Sequence, residues 1–197
     1  MITLSVGFER WRKSISRALA VFIIASLIMT EPGTAAWLKL MLRIAGVLFI
    51  GAAVLGRIWC ALYIAGHKNT DLCIDGPYSI CRNPLYLFSF FGAVGFAFVA
   101  GSLPVGISLV PLFWCYHHFV IKNEEVRLSI LFGAAYKAYR AKTPRIIPRP
   151  NLYWSRPCLT VYPNIVLRAL SEVAWFLIAL ALCELIEPMQ RLAEGGW

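Results

Sequence analysis

The stretch GPYSICRNPLYLF, residues 76–88, places an arginine, an asparagine and a proline directly before a long apolar run. Asn83 and Pro84 supply a capping residue and a first-turn proline, so the segment predicts the start of a helix. Helix initiation does not account for Tyr78 and Arg82 in the same short segment. The free amide groups at a helix start also favour a carboxylate or another anion. The stretch therefore indicates a polar binding site at the edge of an apolar helix.

The composition is that of a membrane protein. Hydrophobic residues make up 59% of the 197 and charged residues only 15%, whereas soluble domains carry about 25% charged residues. The mean hydropathy is +0.68. We expect one integral membrane domain, residues 1–197, and the sequence leaves its oligomeric state open. The net charge is +9, but the basic residues lie between hydrophobic runs, which argues against nucleic acid and favours anionic lipid headgroups as partners.

Five apolar runs approach the ~20 residues that a spanning helix requires. They cover residues 16–29, 37–65, 85–100, 105–121 and 165–183. The predicted fold class is therefore all-α, a polytopic membrane protein of about five transmembrane helices, with an additional C-terminal helix at about 164–184. The first run is short, so Arg17 must snorkel toward the headgroups unless the helix continues past Glu31. The fifth contains Arg168 and Glu172 one helical turn apart and can lie partly in the interface.

The lysines and arginines between these runs predict the orientation in the membrane. The N-terminal tail and the segments after the second and fourth runs are basic, whereas GSLP, residues 101–104, carries no charge. This alternation predicts a cytoplasmic N-terminus, in what we expect to be a bacterial cytoplasmic membrane, and the first run has no signal-peptide cleavage site. Because GSLP is a tight turn, the third and fourth runs form an antiparallel hairpin. The hairpin brings residues 76–88 and 117–128 together at the cytoplasmic face.

Two adjacent acids, Glu124 and Glu125, follow the fourth run. If the helix continues, their side chains point about 100° apart around it. One can then face the end of the third run while the other faces water or a basic neighbour; a solvated surface pair is the alternative. Residues 128–150 alternate apolar and basic positions at helical spacing and break at Pro144 and Pro148. They predict a cytoplasmic amphipathic segment on the membrane surface.

The histidines and cysteines show no spacing typical of a metal site. No further His, Cys or Asp is spaced to complete a ligand set with His117 and His118. We expect these two histidines to form hydrogen bonds within the helix bundle or to line the substrate entrance. The six cysteines contain no CxxC pair, which indicates reduced and mostly structural thiols.

Two motifs together resemble the membrane methyltransferases of the isoprenylcysteine carboxyl methyltransferase and phospholipid methyltransferase superfamily. The first is GPYSICRNPLY and the second is NEEVRLSILFGAAYKAYRAKTPRIIPR, and they bracket the predicted hairpin. The resemblance covers about residues 67–150, a little under half of the chain. The residues that match the family pattern are Gly76, Tyr78, Arg82, Asn83, Pro84, Tyr86, Glu124, Glu125, Leu128, Phe132, Gly133, Tyr136 and Tyr139.

Members of this superfamily fold both motifs over S-adenosylmethionine, so the resemblance implies this cofactor and a methyl transfer to a lipophilic acceptor from the bilayer. The implied cofactor-binding residues are Thr70, Leu72, Cys73, Gly76, Tyr78, Asn83, Pro84, Tyr86 and Glu124. Glu124 is the best candidate to contact the ribose or the amino group. Arg82 and Glu125 are the implied catalytic residues, and His118 and Lys122 the implied substrate-binding residues. Because a sulfonium methyl is already activated, the enzyme chiefly has to align it and exclude water.

The acceptor stays open at this point. Many family members carry histidine where Asn83 stands, and prenylcysteine enzymes carry an arginine where Val120 stands, with Lys122 only nearby. A phospholipid amine, a prenylcysteine-like carboxylate and a small thiol are the candidates. If the acceptor is an amine, Glu125 or one of the histidines is a candidate to take its proton. A non-enzymatic transport or assembly protein, or a member that binds the cofactor without turnover, are the alternatives to an active enzyme.

Overall fold

A computed structural model describes residues 36–65, 70–100 and 103–193, and every regular element in these ranges is helical. The elements are α1 (Ala36–Ile64), α2 (Pro77–Ile80), α3 (Pro84–Val99), α4 (Leu103–Lys142), a 3-10 turn (Pro150–Leu152) and α5 (Pro163–Ala193). The predicted all-α class is confirmed for the described residues. The first predicted span, residues 16–29, lies outside them.

In the described part of the chain, α1 is the helix that is long and apolar enough to cross a membrane. Its 28 residues Trp37–Ile64 reach a mean hydropathy of 2.1. At 1.5 Å per residue they extend about 42 Å, more than the ~30 Å of hydrocarbon in a bilayer. The outer face is apolar, since Leu48 and Leu55 are 68% and 70% exposed. Helix α3 is also apolar but has only 16 residues.

Helices α1 and α3 pack closely because glycines on both helices let the two backbones touch. A Cβ atom added at Gly46 would lie 2.7 Å from the carbonyl oxygen of Gly95, and one added at Gly95 would lie 2.8 Å from that of Gly46. Phe49 packs edge-on against Phe91 and Phe98, with ring centroids 5.6 and 5.8 Å away. Small residues at a helix crossing are typical of membrane proteins, where close packing drives helix association. This contact sets the start of α3 beside the end of α1.

Helices α3 and α4 form the predicted antiparallel hairpin. Tyr86, near the start of α3, contacts His117 in α4, whereas Ala97, near the end of α3, packs against Leu109 close to the start of α4. The contacts therefore run in opposite directions along the two helices. The predicted turn at 101–104 lies partly outside the described residues, and its last two residues already belong to α4.

Helix α4 joins the predicted fourth span to the predicted amphipathic segment in one 40-residue element. It continues through Glu124 and Glu125, as the expected angle between the two carboxylates requires. At Gly133 the backbone leaves helical geometry, with φ 48° and ψ −117°, and the helix is kinked there. The helix ends at Lys142, shortly before Pro144, where the sequence predicts a break.

The C-terminal helix α5 attaches to α1 and α3 through a polar contact. Arg57 of α1 lies 3.3 Å from the carboxylate of Glu172 and donates a hydrogen bond to Ser89 of α3 at 2.5 Å. The Arg57 guanidinium also lies over the Phe176 ring, 5.6 Å from its centroid. Glu172 therefore pairs with a different helix, besides standing one turn from Arg168 on its own helix. The contact fixes α5 against α1 and α3.

Candidate functional site

A cavity with about 880 Å³ of empty space, its open mouth included, lies where the end of α1, the loop before α2, the start of α3 and the middle of α4 meet. Its lining residues are Ile64, Asp71, Leu72, Cys73, Tyr78, Arg82, Asn83, Leu85, Tyr86, Glu124, Leu128, Phe132 and Tyr139. The cavity thus brings the two sequence motifs together and combines two acids and an arginine with aromatic walls.

Tyr86 and Glu124 connect the two motifs across the cavity. The Tyr86 hydroxyl donates a hydrogen bond to Glu124 Oε2 at 2.5 Å. A bond from a phenol to a carboxylate is among the stronger hydrogen bonds in proteins because one partner is charged. A carboxylate has more acceptor sites than this one bond uses, so Glu124 can also accept from ligand hydroxyls or an ammonium group.

Tyr78 presents a buried hydroxyl at the cavity wall. The residue is 7% exposed, and its hydroxyl has no hydrogen-bond partner among the described residues. Burial raises the pKa of Tyr78 well above its usual value, so the hydroxyl stays neutral and can both donate and accept. The hydroxyl of Tyr139 donates to the Tyr78 carbonyl oxygen at 2.6 Å and holds this segment against α4. Buried polar groups are usually paired, so the Tyr78 hydroxyl points to a polar ligand.

Glu125 is the centre of a buried charge network next to the cavity. Its Oε2 lies 3.2 Å from Nε of Arg145, and its Oε1 lies 3.5 Å from Nη2 of Arg82. Glu125 itself is 9% exposed. Arg82 reaches the cavity as well, and its Nε and Nη1 are buried without a hydrogen-bond partner among the described residues. Arg82 therefore has donors left for a ligand, while the Glu125 charge is already compensated.

Asn83 occupies the residue before α3, but the expectation that its side chain caps the helix is wrong. No side-chain capping bond forms. The Asn83 amide instead donates to the carbonyl oxygen of Arg145 at 3.0 Å and to Glu125 Oε1 at 3.4 Å. These partners come from more than forty residues away and draw the amide away from its own helix. The Asn83 side chain therefore leaves the first amide groups of α3 uncapped.

Residues 143–156, which we call the strap, run back across the segment before α3. Three backbone hydrogen bonds fasten them to it. These bonds join Arg82 N–H to Pro144 O at 2.8 Å, Arg149 N–H to Ile80 O at 2.9 Å and Gly76 N–H to Trp154 O at 2.7 Å. Because backbone groups must be satisfied wherever they are buried, the strap determines the conformation of the polar segment as much as α2 does.

An ion pair fastens the end of the strap. Nε of Arg156 lies 2.8 Å from Oδ2 of Asp75, whose side chain is almost fully buried at 2% exposed. The hydroxyls of Tyr63 and Ser155 are 2.8 Å apart, which adds a bond to α1. The strap therefore connects the end of α1, the loop before α2 and the C-terminal part of α4 into one unit.

Gly76 is required by the backbone rather than by a ligand. Its φ is +56°, in the region that side chains rarely adopt. A Cβ atom at this position would also collide with the ring of Tyr63. Gly76 is buried and does not line the cavity, so its place in the motif follows from packing.

Cys73 lines the cavity as a neutral thiol. Its Sγ lies 3.5 Å from the carbonyl oxygen of Tyr63 and 3.7 Å from a carboxylate oxygen of Asp75. Burial and the nearby Asp75 raise the pKa of Cys73 to about 12. The thiol is therefore protonated at neutral pH and contributes polarity and shape rather than a nucleophile.

The structure brings most of the sequence-derived site residues into one place. Leu72, Cys73, Tyr78, Arg82, Asn83, Tyr86 and Glu124 line the cavity. Thr70, Gly76, Pro84, Glu125 and Lys122 do not line it, and Lys122 is exposed. His118 lines a separate groove between α3 and α4. The assigned roles of all these residues stay predictions.

Several cavity residues were not assigned to the site from the sequence. Asp71 lies within the stretch 70–73, and a charged residue in a stretch already assigned to the cofactor could have indicated that it lines the site. Phe132 and Tyr139 match the family motif but had no role assigned to them. Arg145 and Arg156, which do not line the cavity but pair with Glu125 and Asp75, gave no signal beyond their charge, because these partners lie far away in the sequence.

These features fit a membrane-associated methyltransferase, and the match to a family of known proteins supports this class. The sequence pattern of the phospholipid methyltransferase family matches residues 38–135, and the chain belongs to this family. It is 34% identical over 190 residues to the cobalt-zinc-cadmium resistance protein CzcN of Cupriavidus metallidurans, covering 95% of this chain and 85% of the relative. It is 35% identical over 167 residues to the nickel-cobalt-cadmium resistance protein NccN of Alcaligenes xylosoxydans xylosoxydans, covering 85% and 76%. No solved structure gives a significant match.

Proposed function

We propose that this protein is a polytopic membrane enzyme that transfers a methyl group from S-adenosylmethionine to a lipophilic acceptor at the cytoplasmic membrane surface. The cavity is the observation that carries the proposal, because seven of the residues assigned from the sequence line it, and they come from both motifs and the stretch before them. Membership of the phospholipid methyltransferase family supports the reaction class. The apolar composition and the spanning length of α1 support the membrane location.

The residues of the cavity fit the groups of the cofactor. S-adenosylmethionine carries a carboxylate, an ammonium group, ribose hydroxyls and an aromatic base. Arg82 has two buried nitrogens without a partner in the described chain, which suit the carboxylate. Glu124 suits the ribose or the ammonium group. The Tyr78 hydroxyl, which has no partner among the residues that the structure describes, suits a further polar atom. The rings of Phe132 and Tyr139 suit the base.

When bound, the cofactor supplies a methyl group activated by a sulfonium sulfur. The protein then has to bind, orient and exclude water rather than provide a nucleophile. Leu85 and Leu128 give the cavity apolar walls that exclude water. Tyr86 and Glu124 hold each other in place through their hydrogen bond, so this wall of the cavity is preorganised.

The proposal extends to the position of the helices in the membrane and to the identity of the methyl acceptor. We place the hairpin, α5 and residues 16–29 in the bilayer as further spans, with the cavity at the cytoplasmic surface. A phospholipid amine or an isoprenylcysteine-like carboxylate is the proposed acceptor, with a small thiol as a third candidate. The acceptor then reaches the site from the bilayer.

The names of the two relatives suggest a role in resistance to metals. Both are resistance proteins for transition metals, cobalt and cadmium among them. We extend this to the present chain as a proposal that its methyl transfer contributes to metal tolerance. Expression of the wild type in a host lacking its own copy should raise growth in cobalt or cadmium, and Glu124→Gln should not. Equal growth with both proteins would contradict the link.

Calorimetry in detergent tests the cofactor site. The wild type should bind S-adenosylhomocysteine, and Glu124→Gln should bind it at least about 10-fold more weakly, because a hydrogen bond to a charged group contributes about 1.5–3 kcal/mol. Glu172→Gln is the matched control, since this carboxylate is 60% exposed on α5 and does not line the cavity. Absence of binding in the wild type, or equal binding in Glu124→Gln, would remove the site assignment.

A second measurement separates an enzyme from the alternatives. Incubation with methyl-labelled cofactor and a total membrane lipid extract should yield a labelled lipid in a cofactor-dependent way. Binding without any label would favour a member without turnover. Absence of both would favour a transport or assembly protein.

A further inference from the structure

A second pocket lies between α4 and the start of the strap, with about 740 Å³ of empty space, its open mouth included. It is lined by Trp114 of α4 and by Pro144, Arg145, Ile146, Ile147 and Arg149 of the strap. None of these residues lines the candidate cofactor cavity, so the two sites are separate. We call this space the strap pocket.

The strap pocket combines two arginines, and none of its lining residues is acidic. Glu125 lies 3.2 Å from Nε of Arg145, but the Arg145 side chain is still 32% exposed, so its other nitrogens can reach a ligand. Arg149 is exposed, and no acid in the part of the chain that the structure describes pairs with its side chain. Two guanidinium groups at one pocket favour an anion with several oxygen atoms, as in a phosphate group.

Backbone hydrogen bonds hold both arginines in place. Arg149 N–H donates to the carbonyl oxygen of Ile80 at 2.9 Å, and the carbonyl oxygen of Arg145 accepts from the Asn83 amide at 3.0 Å. These bonds use the main chain of the two arginines and leave their guanidinium groups for a ligand. A site whose backbone is already fixed loses less conformational freedom when it binds, so the strap pocket is preorganised for an anion.

Exposed apolar side chains adjoin the two arginines. Ile147 lies between them in the sequence and is 80% exposed. Trp114 is 43% exposed, and its ring meets the Phe90 ring of α3 edge-on, with centroids 5.4 Å apart. Tryptophan is enriched where a membrane meets water, because its ring is apolar and its N–H is polar. Basic groups next to exposed apolar groups match the phosphate and the first acyl carbons of a lipid.

We propose that the strap pocket binds one anionic phospholipid, with its phosphate on Arg145 and Arg149 and the start of an acyl chain against Trp114. The inference rests on the membrane position of the hairpin in the proposed function and not on the methyl transfer. The net charge of +9 favours an anionic over a zwitterionic lipid. This lipid is a resident ligand rather than the methyl acceptor, because its site is separate from the cavity. Since the strap also holds Asn83, the bound lipid stabilises the polar segment before α3.

Quenching of tryptophan fluorescence in detergent micelles tests the pocket. The probe is phosphatidylglycerol with brominated acyl chains, because bromine quenches a tryptophan only at close range, and brominated phosphatidylcholine is the zwitterionic comparison. The difference between the wild type and Trp114→Phe gives the signal of Trp114. Phosphatidylglycerol should quench this signal saturably, at an at least about 5-fold lower mole fraction than phosphatidylcholine. Equal quenching by the two lipids, or a Trp114 signal that neither quenches, would overturn the proposal.

Removal of one arginine distinguishes a built site from diffuse attraction to a basic surface. Arg149→Gln keeps the backbone bond to Ile80 and should weaken the binding of brominated phosphatidylglycerol about 5-fold, the usual contribution of one arginine at an anionic surface. Arg140→Gln is the matched control, because Arg140 is exposed on α4 and does not line the pocket, and it should keep the wild-type affinity. An equal loss in both variants, or no loss in Arg149→Gln, would contradict the site.

Two further measurements identify the ligand and separate this proposal from the proposed function. Inorganic phosphate should displace the brominated lipid no better than chloride at the same ionic strength, since it lacks the acyl chain. Displacement by phosphate alone would assign the pocket to a free anion and overturn the lipid assignment. Arg149→Gln should bind S-adenosylhomocysteine with wild-type affinity, because Arg149 does not line the cavity. A wild type that binds the lipid but no S-adenosylhomocysteine would remove the proposed function and support the strap pocket, and the reverse result would contradict the strap pocket alone.

Discussion

Glu124 and Glu125 are neighbours in the sequence and have opposite surroundings in the structure. Glu125 is buried between Arg82 and Arg145 and also accepts from Asn83, so its charge is compensated inside the protein. Glu124 lines the cavity, with Tyr86 as its hydrogen-bond donor. One residue of the pair therefore maintains the fold of the site, and the other is available to a ligand.

The same division separates the strap side of the site from the cavity side. On the strap side, backbone groups and charges find partners in residues 143–156, as in the pair of Asp75 with Arg156. On the cavity side, the Tyr78 hydroxyl and two nitrogens of Arg82 have no hydrogen-bond partner in the described chain. Substitutions on the strap side should therefore reduce stability, and those on the cavity side should reduce binding.

Glu125→Gln should give the largest loss of stability among the variants considered. Removal of this charge leaves Arg82 and Arg145 without their buried counter-charge, and loss of one partner of a buried ion pair costs about 3–5 kcal/mol. The free energy of unfolding in detergent should fall by about that amount. Glu124→Gln is the matched comparison and should change it by less than about 1.5 kcal/mol. Equal losses in both variants would break the distinction between the two acids.

Gly76→Ala should give the second largest loss of stability. The positive φ and the collision with Tyr63 together should cost about 2–3 kcal/mol of unfolding free energy. Gly51→Ala is the control, because nothing lies within 4 Å of a Cβ atom there, and alanine in a helix should add about 0.5–1 kcal/mol. If Gly76→Ala is as stable as the wild type, the packing account of this motif glycine is wrong.

Arg156→Gln should have a smaller effect. The buried Asp75 loses its partner, but Arg156 is 46% exposed and water screens the pair, so we expect a loss of about 1–2 kcal/mol. Chemical denaturation in detergent measures it. Arg140→Gln, an exposed arginine of α4, should be neutral to within about 0.5 kcal/mol. A neutral Arg156→Gln would show that the strap does not depend on this pair.

Tyr78→Phe should change the stability least. Unlike the other variants, it should not lower the free energy of unfolding. Its hydroxyl has no partner in the described chain, so removing it should leave the unfolding free energy unchanged or raise it by about 1 kcal/mol. Affinity for S-adenosylhomocysteine should fall by about 5-fold, corresponding to one neutral hydrogen bond. A less stable variant with unchanged affinity would reverse the assignment of this wall to the ligand.

Local patterns in the sequence predicted much of this arrangement. The apolar runs predicted α1, the hairpin and α5, since hydrophobicity is a local property. The family resemblance predicted seven cavity positions, five in the two motifs and two in the stretch before them, because the family pattern contains both sides of the site. The strap could not be predicted, since the partners of Arg145 and Arg156 depend on how distant segments meet. For the same reason the sequence suggested a helix cap at Asn83, where the structure shows a bond to the strap.

An experimental structure of the protein with S-adenosylhomocysteine bound would test directly whether the cavity is the cofactor site. Density for the ligand should lie in the cavity, in contact with Tyr78, Arg82 and Glu124, while Glu125 keeps its two arginine partners. Ligand density elsewhere, with the cavity empty, would contradict the account.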